Sequence, residues 1–384
     1  MSVQVESTPV IPSRRSPAPA VRRPRVPSAG GPLRIGVVAP PWFELPPVGY
    51  GGTEAVVAAL VDQLVERGHD VTLVASGRPG TKATHNHVAF AAPPSDLLGS
   101  SALPEVIQAV EAAHAFDGLD LDIVHDNSLA GPLLAYGRSI PTVVTMHGPV
   151  NNMNGDYYRR MGEAVDLVAI SDAQRRLAPA MHWVGTVHNA VDVSSFPYRA
   201  DKEDWVLWLG RFCAEKGAHL AIDAARAAGR KILLAGKRNE VAEREYFDAQ
   251  ISPRLGSGVE YVGEADAAMK RELFSRAACL VFPIRWEEPF GMVMAEALAC
   301  GTPVVALRRG SVPEIIDDGV TGYVTDDPAD LPGLINRVRD LDPAACRAAA
   351  RAKFDLPVMA AGYERVYRRL IARSQAGAKV GTAA

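Results

Sequence analysis

Two glutamates set eight residues apart are the clearest candidates for chemistry in this chain. Glu288 and Glu296 lie in the segment RWEEPFGMVMAEALACGTPVV, and Glu296 is the one charged residue between Met292 and Cys300. A helix that is apolar on all sides should be buried, and a buried carboxylate needs hydrogen-bond partners. Ribose hydroxyls would supply them. An ion pair with an arginine such as Arg285 or Arg308 is the structural alternative, and the residues alone favour neither.

The spacing of this pair suits a nucleotide joined to a sugar. Eight helical residues span about 12 Å at 1.5 Å per residue, which would place one carboxylate near a sugar and the other near a ribose. We expect the helix to begin at Pro289, because proline fits the first helical position. Gly291, Met292 and Val293 would then offer unpaired N–H groups to phosphates.

A second candidate anion site follows the apolar run WVLWLG at 205–210. Arg211 and Lys216 lie in the segment GRFCAEKGAHLAIDAA, which leads from a predicted strand into a predicted helix. Two cations beside a helix N-terminus would form a strong diphosphate site. Two solvated side chains are the alternative, and both interpretations remain open.

A glycine-rich segment, GYGGTEAVVAALVDQLVERGH, gives a third candidate. Gly51 and Gly52 would leave backbone amides open at a helix start, with Thr53 as the predicted N-cap. A turn that requires positive φ is the alternative. The segment is not a G-x-G-x-x-G fingerprint, and the next predicted strand ends without an acid for a ribose, which counts against a nicotinamide dehydrogenase. The buried stripe of the following helix would comprise Val56, Leu60 and Leu64.

Alternating β-branched runs and helical stretches must position these groups. Eleven strands are predicted at 34–40, 71–76, 122–126, 142–147, 167–171, 184–189, 205–210, 231–236, 259–263, 279–284 and 302–307. This alternation predicts parallel α/β sheets covered on both faces. Eleven strands are more than a single open sheet usually contains. We therefore predict two doubly wound domains that face each other across a deep cleft, with ligands beyond the carboxyl ends of the strands.

Domain boundaries follow from composition. Residues 1–32, rich in Pro, Ser and Arg, are predicted to be a disordered tail without the apolar core of a signal peptide. The alternative is that the arginines of this tail make a weak contact with anionic lipid. We predict a first domain at 33–196, a second at 197–356, and a final helix at 357–384 that returns to the first domain and ends in a flexible tail.

Composition and net charge limit the classes of partner that this chain can bind. The 384 residues are 48% hydrophobic with a net charge of −3, which gives no overall attraction to nucleic acid. No apolar run approaches the ~20 residues of a membrane helix. Four widely spaced cysteines without a CxxC pair read as buried apolar residues in a reduced compartment, so we expect a cytoplasmic protein, at most peripheral to the inner membrane face. His85 and His87 are expected in a turn.

Several of these motifs resemble glycosyltransferase family 4, the retaining enzymes of GT-B fold. The resemblance spans roughly residues 33–370 and rests on GYGGTE, THG at 145–148, ISDAQRR, HNAVDVSSF, GRFCAEKG and EEPFGMVMAEALACGTPVVALRRGSVPEIIDDGVTGYV. The last segment is similar to the E-x7-E signature of that family. One departure is Gly310–Ser311, where the family often has paired glycines, and only a local change is expected there.

The resemblance implies transfer of a sugar, with retained anomeric configuration, from a nucleotide diphosphate donor, UDP first and GDP second. Glu296 would bind the ribose, Glu288 the donor sugar, and Arg211 and Lys216 the diphosphate. His147 would approach the sugar from the first domain. The donor site implied by the resemblance further includes Gly51, Gly52, Lys237, Val262, Phe290, Gly291, Met292 and Val293.

Acceptor binding is expected on the first domain, at 78–101 and 151–160, for a sugar, a lipid or a small molecule. Tyr157 and Tyr158 could stack on a sugar or simply pack. Asp120-x-Asp122 resembles a metal-binding pair but is interpreted as a turn away from the cleft, so no metal and no cofactor are expected. A sugar-nucleotide 2-epimerase and a non-catalytic nucleotide-sugar binding protein are the rival functions.

Overall fold

The computed structural model describes residues 30–49 and 51–381, with side chains through residue 376. Within these residues the chain forms thirteen strands and twelve α-helices. The strands are β1 Arg34–Val38, β2 Asp70–Ser76, β3 His85–Phe90, β4 Ile123–Asp126, β5 Thr142–Met146, β6 Asp166–Ala169, β7 Trp183–Thr186, β8 Trp205–Leu209, β9 Lys231–Ala235, β10 Val259–Tyr261, β11 Leu280–Phe282, β12 Val304–Leu307 and β13 Gly322–Thr325. The helices are α1 Gly52–Glu66, α2 Leu103–Phe116, α3 Met153–Met161, α4 Asp172–Leu177, α5 Ala218–Ala227, α6 Val241–Tyr246, α7 Ala267–Arg276, α8 Met292–Ala299, α9 Val312–Ile315, α10 Leu331–Arg337, α11 Pro343–Lys353 and α12 Leu356–Gly381.

The described strands form two parallel sheets, one in each half of the chain. The first has the order β3-β2-β1-β4-β5-β6-β7, and the second has the order β10-β9-β8-β11-β12-β13. All strand pairs within them are parallel. The strand order reverses between β1 and β4 and again between β8 and β11. Loops at those two switch points diverge and leave a crevice for ligands.

The predicted α/β architecture with two doubly wound halves is confirmed. The sheets separate between Thr186 and Trp205, while the exact domain boundary at 196/197 stays a prediction. The last helix, α12, returns to the first sheet: Met359, Tyr363 and Tyr367 are buried in the core built from β1, β2 and α1. The first half therefore contains residues from both ends of the described chain.

A polar network fixes α12 on the first sheet. His125 is fully buried at the centre of β4, with Nδ1 2.7 Å from the Tyr367 hydroxyl and Nε2 2.8 Å from Thr145 Oγ1. The Tyr363 hydroxyl lies 2.8 Å from the same Thr145 oxygen. Every polar atom in this group has a partner, so its burial carries little desolvation penalty.

Two strands were missed by the sequence prediction, and one expected turn was wrong. His85 and His87 lie on β3, an edge strand whose residues are exposed or half-buried, and β3 also interrupts the segment 78–101 that was expected to be irregular. The edge strand β13 follows a tight turn at 317–321. β3 lacks the continuous apolar run of a buried strand. β13 is buried, but its four residues, GYVT, form no apolar run.

Helix starts also differ from expectation. Residue Gly51, not Thr53, is the N-cap of α1. The helix carrying Glu296 begins at Met292 rather than Pro289, because Gly291 adopts a left-handed conformation with φ 77°. The predicted buried stripe of α1 is confirmed at Val56, Leu60 and Leu64.

The predicted disordered tail at 1–32 lies outside the described residues except for residues 30–32. Across residues 30–49 and 51–381, no helix has both the length and the apolar character needed to cross a bilayer. Cys279, Cys300 and Cys346 are buried, as expected, whereas Cys213 is half-buried, and all four are free thiols.

Candidate active site

The switch point of the second sheet brings Lys216 and Glu288 into contact. Lys216 lies in the loop after β8, and its ammonium forms an ion pair with Glu288 Oε2 in the loop after β11. The indole Nε1 of Trp286 donates to the same oxygen at 3.0 Å. Gly217 permits this approach, because its φ is 70° and a Cβ there would lie 2.3 Å from the Pro283 carbonyl oxygen.

Glu296 has a partner that neither sequence interpretation named. Its Oε1 accepts a hydrogen bond from Lys270 Nζ of α7 at 2.6 Å. The expected arginine alternatives are wrong, since Arg308 pairs with Asp326 at 3.2 Å and Arg285 is exposed. The other oxygen, Oε2, is buried without a hydrogen-bond partner among the described residues. Glu296 is 7% exposed, so this oxygen is an unmet acceptor.

The start of α8 presents open amides between the two glutamates. Gly291 is the N-cap, and the N–H groups of Met292 and Val293 lie in the first turn, where they lack intrahelical acceptors. Both side chains are half-buried. Phe290, by contrast, is 2% exposed and packs between His188 and Phe354, so its ring supports the loop from within the core.

The three other predicted donor residues of the second half occupy neighbouring loops. Arg211 is half-buried in the loop after β8, and within the described chain it makes no ion pair. Lys237 follows β9 and lies 3.6 Å from Glu240, with a side chain that is 14% exposed. Val262 follows β10 and packs against the core. All three lie at the carboxyl ends of their strands, the edge where ligands of such sheets bind.

The segment Gly310–Ser311 holds the loop that carries Glu288. Ser311 donates its amide to the Glu288 carbonyl at 3.0 Å and its hydroxyl to the Phe290 carbonyl at 2.7 Å. Gly310 has φ 52°, and a Cβ there would lie 2.2 Å from the Glu288 carbonyl oxygen. Serine at 311 thus adds a buried hydrogen bond, while glycine is required at 310.

His147 and the glycine-rich loop lie at the carboxyl edge of the first sheet. His147 follows β5, with Nε2 3.0 Å from Asn127 Oδ1, and burial lowers its pKa to about 4. Gly51 and Gly52 stand at the start of α1. These residues line one cavity of about 300 Å³, which we call the first-sheet cavity.

Two buried carboxylates in the first-sheet cavity were missed by the sequence analysis. Glu54, in the quoted GYGGTE motif, is 4% exposed, and burial raises its pKa although a hydrogen bond from its own amide opposes this. Glu105 of α2 is 5% exposed and accepts from Trp42 Nε1 and the Leu129 amide, each at 2.8 Å; burial raises its pKa too. Only the fold shows that these two acids share a cavity.

The predicted tyrosines are placed differently from each other. Tyr158 is 6% exposed and lines the first-sheet cavity. Tyr157 packs edge-on against it, with ring centroids 4.7 Å apart, and does not line the cavity. Packing is therefore the role of Tyr157, whereas Tyr158 can also contact a ligand.

Glu314 connects the two halves of the molecule. From α9 of the second half, it accepts hydrogen bonds from the amides of Asp172 and Ala173, at 2.8 and 2.6 Å, which open α4 in the first half. His188 Nε2 lies 3.1 Å from the same carboxylate. Burial raises the pKa of Glu314, but these hydrogen bonds outweigh burial and lower it overall.

A second cavity, the interdomain cavity, lies between the halves. It has a volume of about 750 Å³ and is lined by Ala55 and Ala59 of α1 on one side and by Met292 and Glu296 of α8 on the other. The unmet oxygen of Glu296 therefore belongs to a residue that faces a space large enough for part of a nucleotide.

The Asp120-x-Asp122 pair lies at the opposite end of the first sheet from these groups. Asp120 forms an ion pair with Arg34, and Asp122 Oδ2 accepts the Arg34 amide at 2.8 Å. Both interactions anchor the start of β1, so the pair serves the structure there. The described residues contain no cluster of three metal-ligating side chains.

Comparison with known proteins places this geometry in a family. Residues 50–212 match the model described as Glycosyltransferase Family 4, and residues 203–341 match the model described as Glycosyl transferases group 1. The alpha-maltose-1-phosphate synthase of Mycolicibacterium smegmatis is 30% identical over 326 residues, which cover 73% of this chain and 82% of that protein. The chain belongs to glycosyltransferase family 4.

Solved structures of similar fold agree with this membership. AviGT4, a glycosyltransferase involved in avilamycin A biosynthesis, is 28% identical and superposes with a TM-score of 0.66 over 89% of this chain and 98% of its own. The Anabaena protein HepE, solved in complex with UDP-glucose, is 17% identical with a TM-score of 0.67, over 88% and 99% of the two chains. The family 4 protein described here is thus a glycosyltransferase of GT-B architecture.

Proposed function

We propose that this enzyme transfers a hexose from a UDP-sugar to a hydroxyl group of a sugar, lipid or small-molecule acceptor, with retention of configuration and without a metal. One observation carries the proposal. Glu296 lines the interdomain cavity, and one of its carboxylate oxygens is buried without a hydrogen-bond partner among the described residues. A pentose hydroxyl is a donor of the size and polarity that such an oxygen lacks.

The diphosphate would lie between Glu296 and Glu288. Lys216 and Arg211 supply positive charge there, and the open amides at Met292 and Val293 add the favourable end of a helix dipole. The amide of Gly52 would reach the phosphates from the first half. Each group acts on charge that grows as the leaving group departs, and one such donor typically contributes about 10²–10³ in rate.

Bond making and breaking would occur on one face of the donor sugar. The bond between the anomeric carbon and the phosphate oxygen breaks, and the acceptor oxygen bonds to that carbon. The acceptor proton passes to the departing phosphate oxygen, so charge and atoms balance without an enzyme nucleophile. Glu288 is paired with Lys216, which suits it to hold sugar hydroxyls, and neutral His147 would contact the sugar from the first half.

A UDP-sugar is the first choice of donor, and a GDP-sugar is the second. The HepE structure contains UDP-glucose, which supports the uridine nucleotide for a chain of this fold. The base would lie near Lys237 and Val262, beyond β9 and β10. The loops there are short, and the guanidinium of Arg238 stacks over the buried Phe247 ring at 4.6 Å.

A thermal-shift panel of UDP, GDP and ADP sugars tests the donor. A ligand at 100 times its Kd stabilises by about 2.7 kcal/mol, so the correct nucleotide should raise the Tm clearly. Glu296→Ala should abolish that shift, whereas Glu245→Ala, an exposed glutamate of the same half, should keep it. An unchanged shift in Glu296→Ala would refute the ribose assignment.

The products decide between transfer and its rivals. NMR of the product from an α-linked donor should show an α-linkage, and an inverted product would exclude retention. Conversion of the donor to an isomeric nucleotide sugar without any acceptor would favour a 2-epimerase. Nucleotide binding without turnover of any donor, with or without acceptor, would favour a binding protein.

A further inference from the structure

Helix α2 carries an apolar stripe on its exposed side. Its outward side chains Leu103, Val106, Ile107 and Val110 are 61, 49, 37 and 47% exposed. Their spacing of i, i+3, i+4 and i+7 places them on one stripe, the α2 apolar face. A surface helix normally turns such a stripe inward. A contiguous exposed apolar surface marks a binding site.

The inward side of α2 carries two polar residues, Glu105 and Gln108, among Pro104, Ala109 and Ala112. Glu105 lines that cavity, and Gln108 is fully buried, with Nε2 donating to the Ala39 carbonyl at 2.9 Å. From this side of α2, Glu105 gives the cavity part of its polar wall. On the outside, nothing among the described residues covers the stripe.

Two exposed leucines at the cavity lie near the start of α2. Leu98 and Leu129 both line the first-sheet cavity, yet they are 47 and 40% exposed. Leu98 precedes the stripe by five residues, and the Leu129 amide is bonded to Glu105 within α2. A ligand that fills the cavity can therefore extend past these leucines towards the α2 apolar face.

Apart from the amides at the start of α1, the lining of the cavity favours hydroxyl or ammonium donors over an anionic acceptor. Glu54 and Glu105 are both nine-tenths buried at its wall, and none of the described lining residues is a lysine or an arginine. His147 is neutral above pH 5, since its pKa is about 4. Trp42 and Tyr158 add aromatic faces suited to a sugar ring. A phosphate would meet two acids and no cation.

Charge also argues against a bilayer as the occupant of the stripe. Helices that lie on anionic membranes carry Lys and Arg on their polar faces. The sequence of α2, LPEVIQAVEAAHAF, contains two glutamates and neither basic residue. A ligand that extends from the cavity is therefore a better match for the stripe than a bilayer.

We propose that the first-sheet cavity and the α2 apolar face together bind an acceptor with a non-anionic, hydroxyl-bearing sugar head and an apolar aglycone. The head lies against Glu54, Trp42 and Tyr158, within reach of His147, and the aglycone lies over Leu98, Leu129 and the stripe. This inference rests on the proposed function, because it assigns the acceptor of the same reaction. It separates this enzyme from its relative named for maltose 1-phosphate, a phosphorylated sugar.

Binding of matched probes, measured by calorimetry with UDP present, tests the proposal. The probes are methyl and n-octyl glycosides of glucose, mannose and galactose, together with the three sugar 1-phosphates. In at least one sugar series the octyl glycoside should bind ten times tighter than the methyl glycoside or better, and no sugar 1-phosphate should bind. Equal affinity of octyl and methyl glycosides in every series, or tight binding of a 1-phosphate, would overturn it.

Variants locate the two parts of the ligand. Val106→Ser with Ile107→Ser should lower octyl glycoside affinity to that of the methyl glycoside and leave the methyl glycoside unchanged. Glu54→Gln should weaken both about tenfold. Val241→Ser with Val320→Ser, two exposed valines of the second half, is the matched control and should change neither. Octyl affinity that survives the α2 double variant would contradict the assignment.

Other occupants of the stripe give distinct results. Sedimentation with phosphatidylglycerol vesicles that is lost in the α2 double variant would identify a membrane surface instead. A dimer by light scattering that the same variant dissociates would identify a second copy. The stabilisation of each variant by UDP is measured separately. Loss of nucleotide binding would refute the proposed function, whereas the affinities of the probes test only the acceptor proposal.

Discussion

The ammonium of Lys216 and the carboxylate of Glu288 form one ion pair that joins the loop after β8 to the loop after β11. Their side chains are 18 and 10% exposed, so water screens the pair only partly. Because Glu288 Oε2 also accepts from Trp286 Nε1 at 3.0 Å, the carboxylate has a fixed orientation. Lys216 therefore stands oriented before any diphosphate arrives.

Replacing Lys216 by methionine should lower kcat by about 10²–10³, because the departing diphosphate loses a preorganised cation. Initial rates at saturating donor and acceptor provide the measurement. Lys231→Met is the control, since Lys231 pairs with Glu260 on the surface at 2.8 Å and should retain full activity. A Lys216→Met enzyme within threefold of the wild-type rate would exclude this role.

Replacing Lys270 by methionine should leave both oxygens of Glu296 buried without a donor. We expect the free energy of unfolding in urea to fall by about 1–3 kcal/mol. Saturating UDP should restore part of the loss, because ribose hydroxyls replace the missing ammonium. The exposed pair Lys353–Asp317 supplies the control, where Lys353→Met should cost under about 1 kcal/mol. If UDP restores none of the loss, Glu296 does not hold the ribose.

Replacing Glu314 by glutamine should loosen the contact between the halves, because the amides of α4 lose a charged acceptor. A larger radius of gyration in X-ray scattering at pH 7.5 is the expected result. Since the folded pKa of Glu314 is lowered, its stabilisation is complete above the unfolded pKa and is lost as pH falls through the folded one. The stability gap between wild type and variant should therefore shrink in acid. Asp326→Asn, at the exposed Arg308 pair, should leave the radius unchanged.

Because of His125, the free energy of unfolding should depend on pH in a range that lies above the pH values at which carboxylates titrate. Burial lowers its pKa to about 3, so its neutral form stabilises the fold fully above the unfolded value of about 6.5. This stabilisation is lost as pH falls from 6.5 towards 3. Between pH 7 and 5 the wild type should lose about 2 kcal/mol more than His125→Asn in urea unfolding. A His85→Asn variant, altered at an exposed site, should follow the wild type, and parallel curves for all three would contradict the prediction.

Local patterns predicted most of the fold and part of the site. The alternation of apolar runs and helices identified both sheets, because buried parallel strands are continuously apolar. Strand β3 was missed because it is exposed or half-buried, and β13 was missed because its four residues, GYVT, form no apolar run. Motif residues at strand ends, such as Lys216 and Glu288, could be assigned to one edge because parallel strands end together.

Partners from distant segments could not be predicted. Lys270 lies on α7, and no spacing rule connects it with Glu296 on α8. Glu54 could be seen in GYGGTE, yet its position in one cavity with Glu105 depends on how α2 packs against β2 and β3. The stripe at Leu103 has the spacing of a buried helix face and yet is exposed, because periodicity alone does not show which face of a helix packs.

Helix α12 gives the first half a late closing element. Met359, Tyr363 and Tyr367 complete a core whose strands end at Thr186, so during synthesis on the ribosome that core stays open until residues 187–355 have emerged. The second sheet does not depend on a helix from a distant part of the chain, because its strands and their covering helices are contiguous in sequence. The second half can therefore fold before the first half is complete, although it is translated later. A nascent chain released before residue 356 would expose to chaperones the apolar surface that α12 covers.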